Sequence, residues 1–299
     1  MRVSNSLLFN TLMTDIGNFV SRMEDLRQQI ATGKSLQTPA DDPLGASRAV
    51  SIRALLAGAE QYEKNIRDAR DWLYATESAL SHVVDILTTA KDKALKGAND
   101  TLSTDARQAL AYEVGQLFDE LLGRANSQHE GRYLFAGLKT GTKPFEATGG
   151  PPPTGAIYNG DQGVKTIDAE DGFVVTVNVK GEDAFINGQD LFAALTKLQK
   201  DLLDGNSAEI SSTDIANLDA GIDHLSQIIG QIGSRTARLD RADDRIQDDK
   251  IKLAAMLSKV EDSDLAKSMV ALQMQEVIYK SALAAASHVI RPTLLDFLR

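Results

Sequence analysis

Only a few residues in the chain have types and spacings that could do chemistry. Gly33-Lys34-Ser35 has the form of the tail of a phosphate loop, in which backbone N–H groups cradle phosphate and the lysine reaches its outer oxygens. That loop needs a glycine five residues earlier, where Gln28 stands, and a preceding strand, where a helical stripe runs instead. The segment therefore reads as a helix stop in a polar joint. Asp41-Asp42 offers two carboxylates, but adjacent acids followed by Pro43 lack the alternating oxygen ligands of a calcium loop. They read as turn and cap residues, accepting from backbone N–H groups, with Pro43 at the first turn of the next helix. His82, His129, His224 and His288 are scattered without zinc-ligand spacing. Neither a G-x-S-x-G elbow nor a glycine-rich dinucleotide fingerprint occurs. No catalytic residue, cofactor or metal ligand is expected, and the chain reads as a non-enzyme.

Composition narrows the class further. A net charge of −10 over 299 residues argues against nucleic acid, whose phosphates demand a basic face. No apolar run is long enough to cross a bilayer, and the N-terminus lacks the unbroken apolar core of a signal peptide. The absence of cysteine excludes thiolate chemistry. It suits a cytosolic protein, and equally one that leaves the cell unfolded without oxidative folding. With aromatics at only 5% and a single Trp72, no one large core is expected.

The elements around these residues are mostly helical. Phe9, Leu12, Ile16, Phe19, Met23, Leu26 and Ile30 alternate by three and four, the narrow stripe of a coiled coil. The stretch "ATGKSLQTPADDPLGASRA" then breaks it, with Pro39, Asp41, Asp42, Pro43 and Gly45 as hinge residues. A long stripe follows over 52–94, and a third helix over 110–121 with Ser103 or Thr104 as cap. From about 137 to 188 the chain is rich in Gly, Pro and Thr. Two strand-like runs, Val164–Ala169 and Phe173–Lys180, predict a small β insert. Helix returns at Asp190, a second long stripe spans 218–260, and "EDSD" breaks the phase. The last stripe uses Leu265, Met269, Leu272, Tyr279, Leu283, Ala286 and Ile290.

This order is nearly palindromic. The two long stripes each span roughly 60 Å at 1.5 Å per residue. They pack most simply on each other, antiparallel; the alternative is that each packs on its own copy in an oligomer. Arg70 and Glu63 on one stripe would then face Asp243 and Lys250 on the other, setting register, or else all four are solvated charges at stripe edges. The terminal stripes are short, and such helices are marginal alone. We expect them to pair and to be weakly ordered in an isolated monomer. Their unburied apolar surface marks an interaction face.

The opening "MRVSNSLLF" and the joint resemble the N-terminal segment of the bacterial flagellin superfamily. Within it, "GRYLFAGLKTGTKPF" (131–145), "IYNGDQG" (157–163) and "YKSALAAASHVIRPTLLDFL" (279–298) resemble the hook-associated protein 3 family, the hook–filament junction proteins. The resemblance implies a mainly α, elongated, flagellin-like bundle with both termini together and a small β-rich inserted domain. Its parts would be a terminal coiled-coil inner domain (1–40 and 262–299), a helical rod (41–136 and 189–261) and an outer β-rich domain (137–188). It implies an assembly interface on the stripes already named, extended through Leu294, Leu295 and Phe297. It also implies a ring of identical subunits, with hook-associated protein 1, flagellin and an export chaperone as partners. The place implied is the extracellular flagellum, reached by the flagellar export route. A flagellin-type filament subunit is the alternative.

Overall fold

The computed structural model describes residues 2–150 and 152–289. Among them the chain forms α1 (Arg2–Thr32), α2 (Pro43–Gly97) and α3 (Thr104–Ala125), followed by three antiparallel hairpins. These pair β1 (Gln128–His129) with β2 (Arg132–Tyr133), β3 (Phe145–Thr148) with β4 (Gly155–Tyr158), and β5 (Thr166–Glu170) with β6 (Phe173–Thr176). Then come α4 (Gly181–Phe185), α5 (Leu191–Asp204), the short α6 (Ser207–Glu209), a π-helical turn over Ile210–Asp214, α7 (Ile215–Glu261) and α8 (Leu265–Val289). The architecture is mainly α with a small β-rich part, as the sequence predicts. Two compact units emerge: Ala59–Asp248, and the two chain ends up to Gly58 and from Asp249 onward. Both divisions fall inside long helices, not at the two polar breaks.

In the central unit, Ile66, Leu73, Leu80, Leu87 and Ala94 of α2 recur every seven residues and are buried. So are Leu218, Leu225, Ile232, Leu239 and Ile246 of α7. Across the pair, Lys91 Nζ lies 2.6 Å from Asp219 Oδ1 and Arg70 lies 3.2 Å from Asp243. The two stripes thus meet within one chain, antiparallel. Arg70 and Asp243 are half-buried partners, and Asp240 shares the guanidinium at 3.2 Å. Glu63 belongs to this unit and Lys250 to the other. The buried face of α2 is wider than a coiled-coil seam, taking in Ala69, Trp72, Val83 and Ala90. The reason is that α2 enters a core shared with α3, α5 and α7.

Side-chain caps define the shorter helices. Ser103 Oγ accepts from Ala106 N at 3.3 Å to start α3, and Asp190 Oδ1 accepts from Ala193 N at 2.9 Å to start α5. The low aromatic content predicts no large core, and here the structure differs. Phe118, Phe135, Phe145, Phe185 and Phe192 gather in one buried cluster, with centroid separations of 5.0–5.6 Å for successive edge-on or tilted pairs. Few aromatics suffice when concentrated, and this cluster ties the β-rich segment to α3 and α5.

The predicted strand over Phe173–Lys180 is also shorter, ending at Thr176. Asn178 explains this. Its Oδ1 accepts from Lys165 N and its Nδ2 donates to Gly163 O, both at 2.9 Å, so a side chain replaces the backbone ladder. The β5–β6 turn uses Gly172 at φ +72°, where a side chain would be strained.

In the terminal unit α1 has 31 residues and α8 has 25, and they run antiparallel against each other. The two end stripes thus pair as the sequence predicts, each supplying the partner the other lacks.

Candidate assembly surface and joint

The stripe of α1 is the side that turns inward. Met23 is 8% exposed, and Leu12, Ile16, Phe19, Leu26 and Ile30 are half-buried. Phe9 lies in α1, and its side chain falls outside the described residues. On α8 the structure splits the single stripe read from the sequence. Leu272 and Tyr279, with Ser268, Gln275, Ala282 and Ala286, lie on the less exposed side. Leu265, Met269 and Leu283 are exposed instead, as are Val270, Met274 (67% exposed), Val277 and Ile278. Ile290, Leu294, Leu295 and Phe297 lie outside the described residues.

A helix apolar on two sides is built to pack on two partners, and α1 covers only one of them. Leaving a leucine or methionine in water forgoes about 1.5–3 kcal/mol of burial each, so a face this apolar favours association. The sequence signal was present in "MVALQMQEVIYK", which is apolar beyond one stripe. The Arg27–Glu276 pair, at 3.8 Å on the exposed rim, adds little.

The joint is more tightly built than its composition suggests. Gly33 closes α1 at φ +70°, its N–H donating to Gln29 O at 2.9 Å. Asp41 Oδ2 accepts from Thr38 N at 2.8 Å and Gln37 N at 3.2 Å, closing a turn that holds Pro39 at the surface. Those bonds, led by that from Thr38, hold the Asp41 carboxyl below its usual range. Asp42 Oδ1 accepts from Leu44 N at 3.1 Å, capping α2 with Pro43 as its first residue. Gly45 is buried against this cap, and a Cβ there would sit 2.4 Å from Asp42 Oδ2.

Lys34 and Ser35 engage the other joint, at the end of α7. Lys34 Nζ donates to Glu261 Oε2 at 3.0 Å and to Asp262 Oδ1 at 2.9 Å. Ser35 N and Oγ both donate to the Glu261 carbonyl, at 2.6 and 3.1 Å, and Ser263 N donates to Gly33 O at 2.8 Å. Arg53 lies 2.7 Å from Glu261 Oε1, an ion pair without hydrogen-bond alignment. Glu261 is 2% exposed. The lysine of the phosphate-like "GKS" is thus occupied by two carboxylates of its own chain. The hydrogen bonds to Asp262 and Glu261 raise the Lys34 ammonium above its usual range. Asp262 is held low, by Ser258 first and then by Lys34.

Reading the sequence alone missed this clasp, yet a signal existed. Glu261-Asp262 ends a helix, where the dipole is negative and acids are disfavoured unless cations attend them.

Known proteins share this architecture. The chain matches the N-terminal helical region of bacterial flagellin over residues 3–140 and the C-terminal helical region over 215–298. It is 38% identical over 152 residues to flagellar hook-associated protein 3 of Salmonella typhimurium, covering 50% of this chain and 48% of that one. The Escherichia coli protein of the same name is 36% identical over 157 residues, covering 52% and 50%. The chain spans about half the length of these curated relatives. A flagellar hook-associated protein structure from Vibrio parahaemolyticus shares the fold, with a TM-score of 0.69 and 21% identity over 74% of this chain and 100% of that one. Matched at both ends by flagellin's two helical regions, the chain belongs to the bacterial flagellin family.

Proposed function

We propose that this protein is a structural subunit of the bacterial flagellum, placed where the hook meets the flagellin filament. The observation that carries this reading is the second, uncovered apolar face of α8 beside α1, in a chain with both flagellin helical regions. The similarity to two proteins named hook-associated protein 3 favours the junction over the filament itself. In assembly, copies close a ring through the α1 and α8 faces, and Ile290, Leu294, Leu295 and Phe297, outside the described residues, belong to the same interface. The ring joins hook-associated protein 1 on one side and flagellin on the other. Pro39 to Gly45 acts as the hinge that sets the tilt of the inner helices, and the clasp of Lys34 on Glu261 and Asp262 closes it. The β-rich segment projects outward, away from the ring's axis. Before assembly, an export chaperone covers the apolar face of α8, and the chain travels unfolded to the outside.

The test is a strain lacking the gene. It should carry hooks without filaments and shed flagellin into the medium, and expression of this chain should restore filaments. Normal filaments in the deletion strain would refute the junction role.

A further inference from the structure

A cavity of about 270 Å³ lies in the central unit between α7 and the segment that leaves β6. Its walls include Thr176, Asn178, Lys180, Gln231 and Arg235, with Val164 at the side. Arg235 is the unusual wall. It is half-buried, and its Nη1 donates to the Asn178 carbonyl at 3.2 Å. Among the described residues no carboxylate forms an ion pair with it. The acid in the lining, Asp183, is engaged elsewhere. Its Oδ1 accepts from Asn187 Nδ2 at 2.9 Å, and its Oδ2 lies 3.6 Å from Lys180 Nζ. The contrast on the same helix pair is Arg70, which holds two aspartates.

A guanidinium presents five N–H donors in a planar fork. One carbonyl uses one of them. Burial lowers the proton affinity of Arg235, and no neighbouring acid offsets that cost. A partly desolvated cation facing a cavity gains from an anion, and the fork matches the two oxygens of a carboxylate. Lys180 is already paired with Asp183, so the cavity carries a single uncompensated charge. That favours a carboxylate monoanion over a phosphate dianion.

We propose that this cavity is a carboxylate-binding site centred on the Arg235 guanidinium. With 42 Asp and Glu residues per chain, a second copy can supply the group as an acidic side chain; a small free carboxylate is the other source. The second-copy source rests on the assembly proposed above, and the free-carboxylate source does not.

The probe is sodium propionate, titrated into the full chain against sodium chloride at matched ionic strength, with the Arg235 Nε–H and the Lys180 amide followed by NMR. Both signals should shift saturably with propionate and not with chloride. Arg235→Gln should weaken binding about tenfold or more as read at Lys180, and Arg235→Lys, which keeps the charge but not the fork, should fall between. Arg238→Gln alters a cation stacked over Phe173 and should bind as the wild type does. Thermal melts check that each variant folds. A shift that never saturates, or one equal in a folded Arg235→Gln, would overturn the site. Sedimentation then separates the sources. Self-association weakened both by Arg235→Gln and by propionate assigns the carboxylate to a second copy. Self-association that neither changes, with propionate binding intact, assigns it to a free carboxylate.

Discussion

Replacing Lys34 by Met should loosen the joint more than replacing Glu261 by Gln, although each removes one charge from the same clasp. Glu261 is buried, with its side chain 3% exposed, and it relies on Lys34 at 3.0 Å and Arg53 at 2.7 Å. Without Lys34 the buried carboxylate keeps only the poorly aligned Arg53. Breaking a fully buried pair costs about 3–5 kcal/mol, and one hydrogen bond to a charged group about 1.5–3. Arg53 still compensates part of the charge, so the loss should be about 1–3 kcal/mol. The bond to Asp262 is exposed and contributes little beside this. In Glu261→Gln the cations left behind are partly exposed and reach water, and the Ser35 bonds persist because they use the backbone carbonyl. The double variant should recover much of the Lys34→Met loss. The assay is hydrogen exchange at the Ser35 and Ser263 amides, which should speed up about five- to hundredfold in Lys34→Met. A Glu261→Gln cost equal to or larger than that of Lys34→Met would refute the argument from burial.

Three other outcomes follow from the same geometry. Met274→Asp or Val277→Asp, on the uncovered side of α8, should leave thermal unfolding unchanged yet abolish filament attachment; Leu272→Asp, on the less exposed side, should also loosen the terminal helix pair. Asp42→Ala should cost about 0.5–2 kcal/mol of local helix stability, read by exchange in the first turn of α2, while calorimetry with magnesium, calcium and ATP should stay flat in both forms. Asp214 is buried beside Lys197 and Asp201, with Oδ2 unpartnered, and burial pushes its carboxyl above the ordinary 3.8. The folded chain therefore holds that proton longer than the unfolded one. The resulting stability is full below the ordinary value and is lost as pH rises through the raised one. Asp214→Asn should remove that loss, shown by urea midpoints compared between acid and neutral pH.

The long helices were legible because a seven-residue recurrence leaves little choice of face, and Leu73 with Leu80 shows it directly. Helix starts were legible where a polar side chain precedes an apolar run, as at Ser103 and Asp190. Width was not legible. The pattern of α2 gives the period, but Trp72 and Val83 are buried only because further helices share that core. The clasp was hidden for a related reason. Lys34 and Glu261 are 227 residues apart, and nothing local announces that one helix end meets the other. The phenylalanine cluster likewise draws on five positions scattered from Phe118 to Phe192, each unremarkable in its own window. Asn178 escaped because a side chain that imitates a strand neighbour has no periodicity.

The junction role is tested most directly by locating the protein on intact flagella. Antibodies raised against the β-rich segment should be viewed by gold labelling in the electron microscope. The account predicts gold confined to one narrow band at the boundary between hook and filament. Gold distributed along the whole filament would contradict it and make the chain a filament subunit.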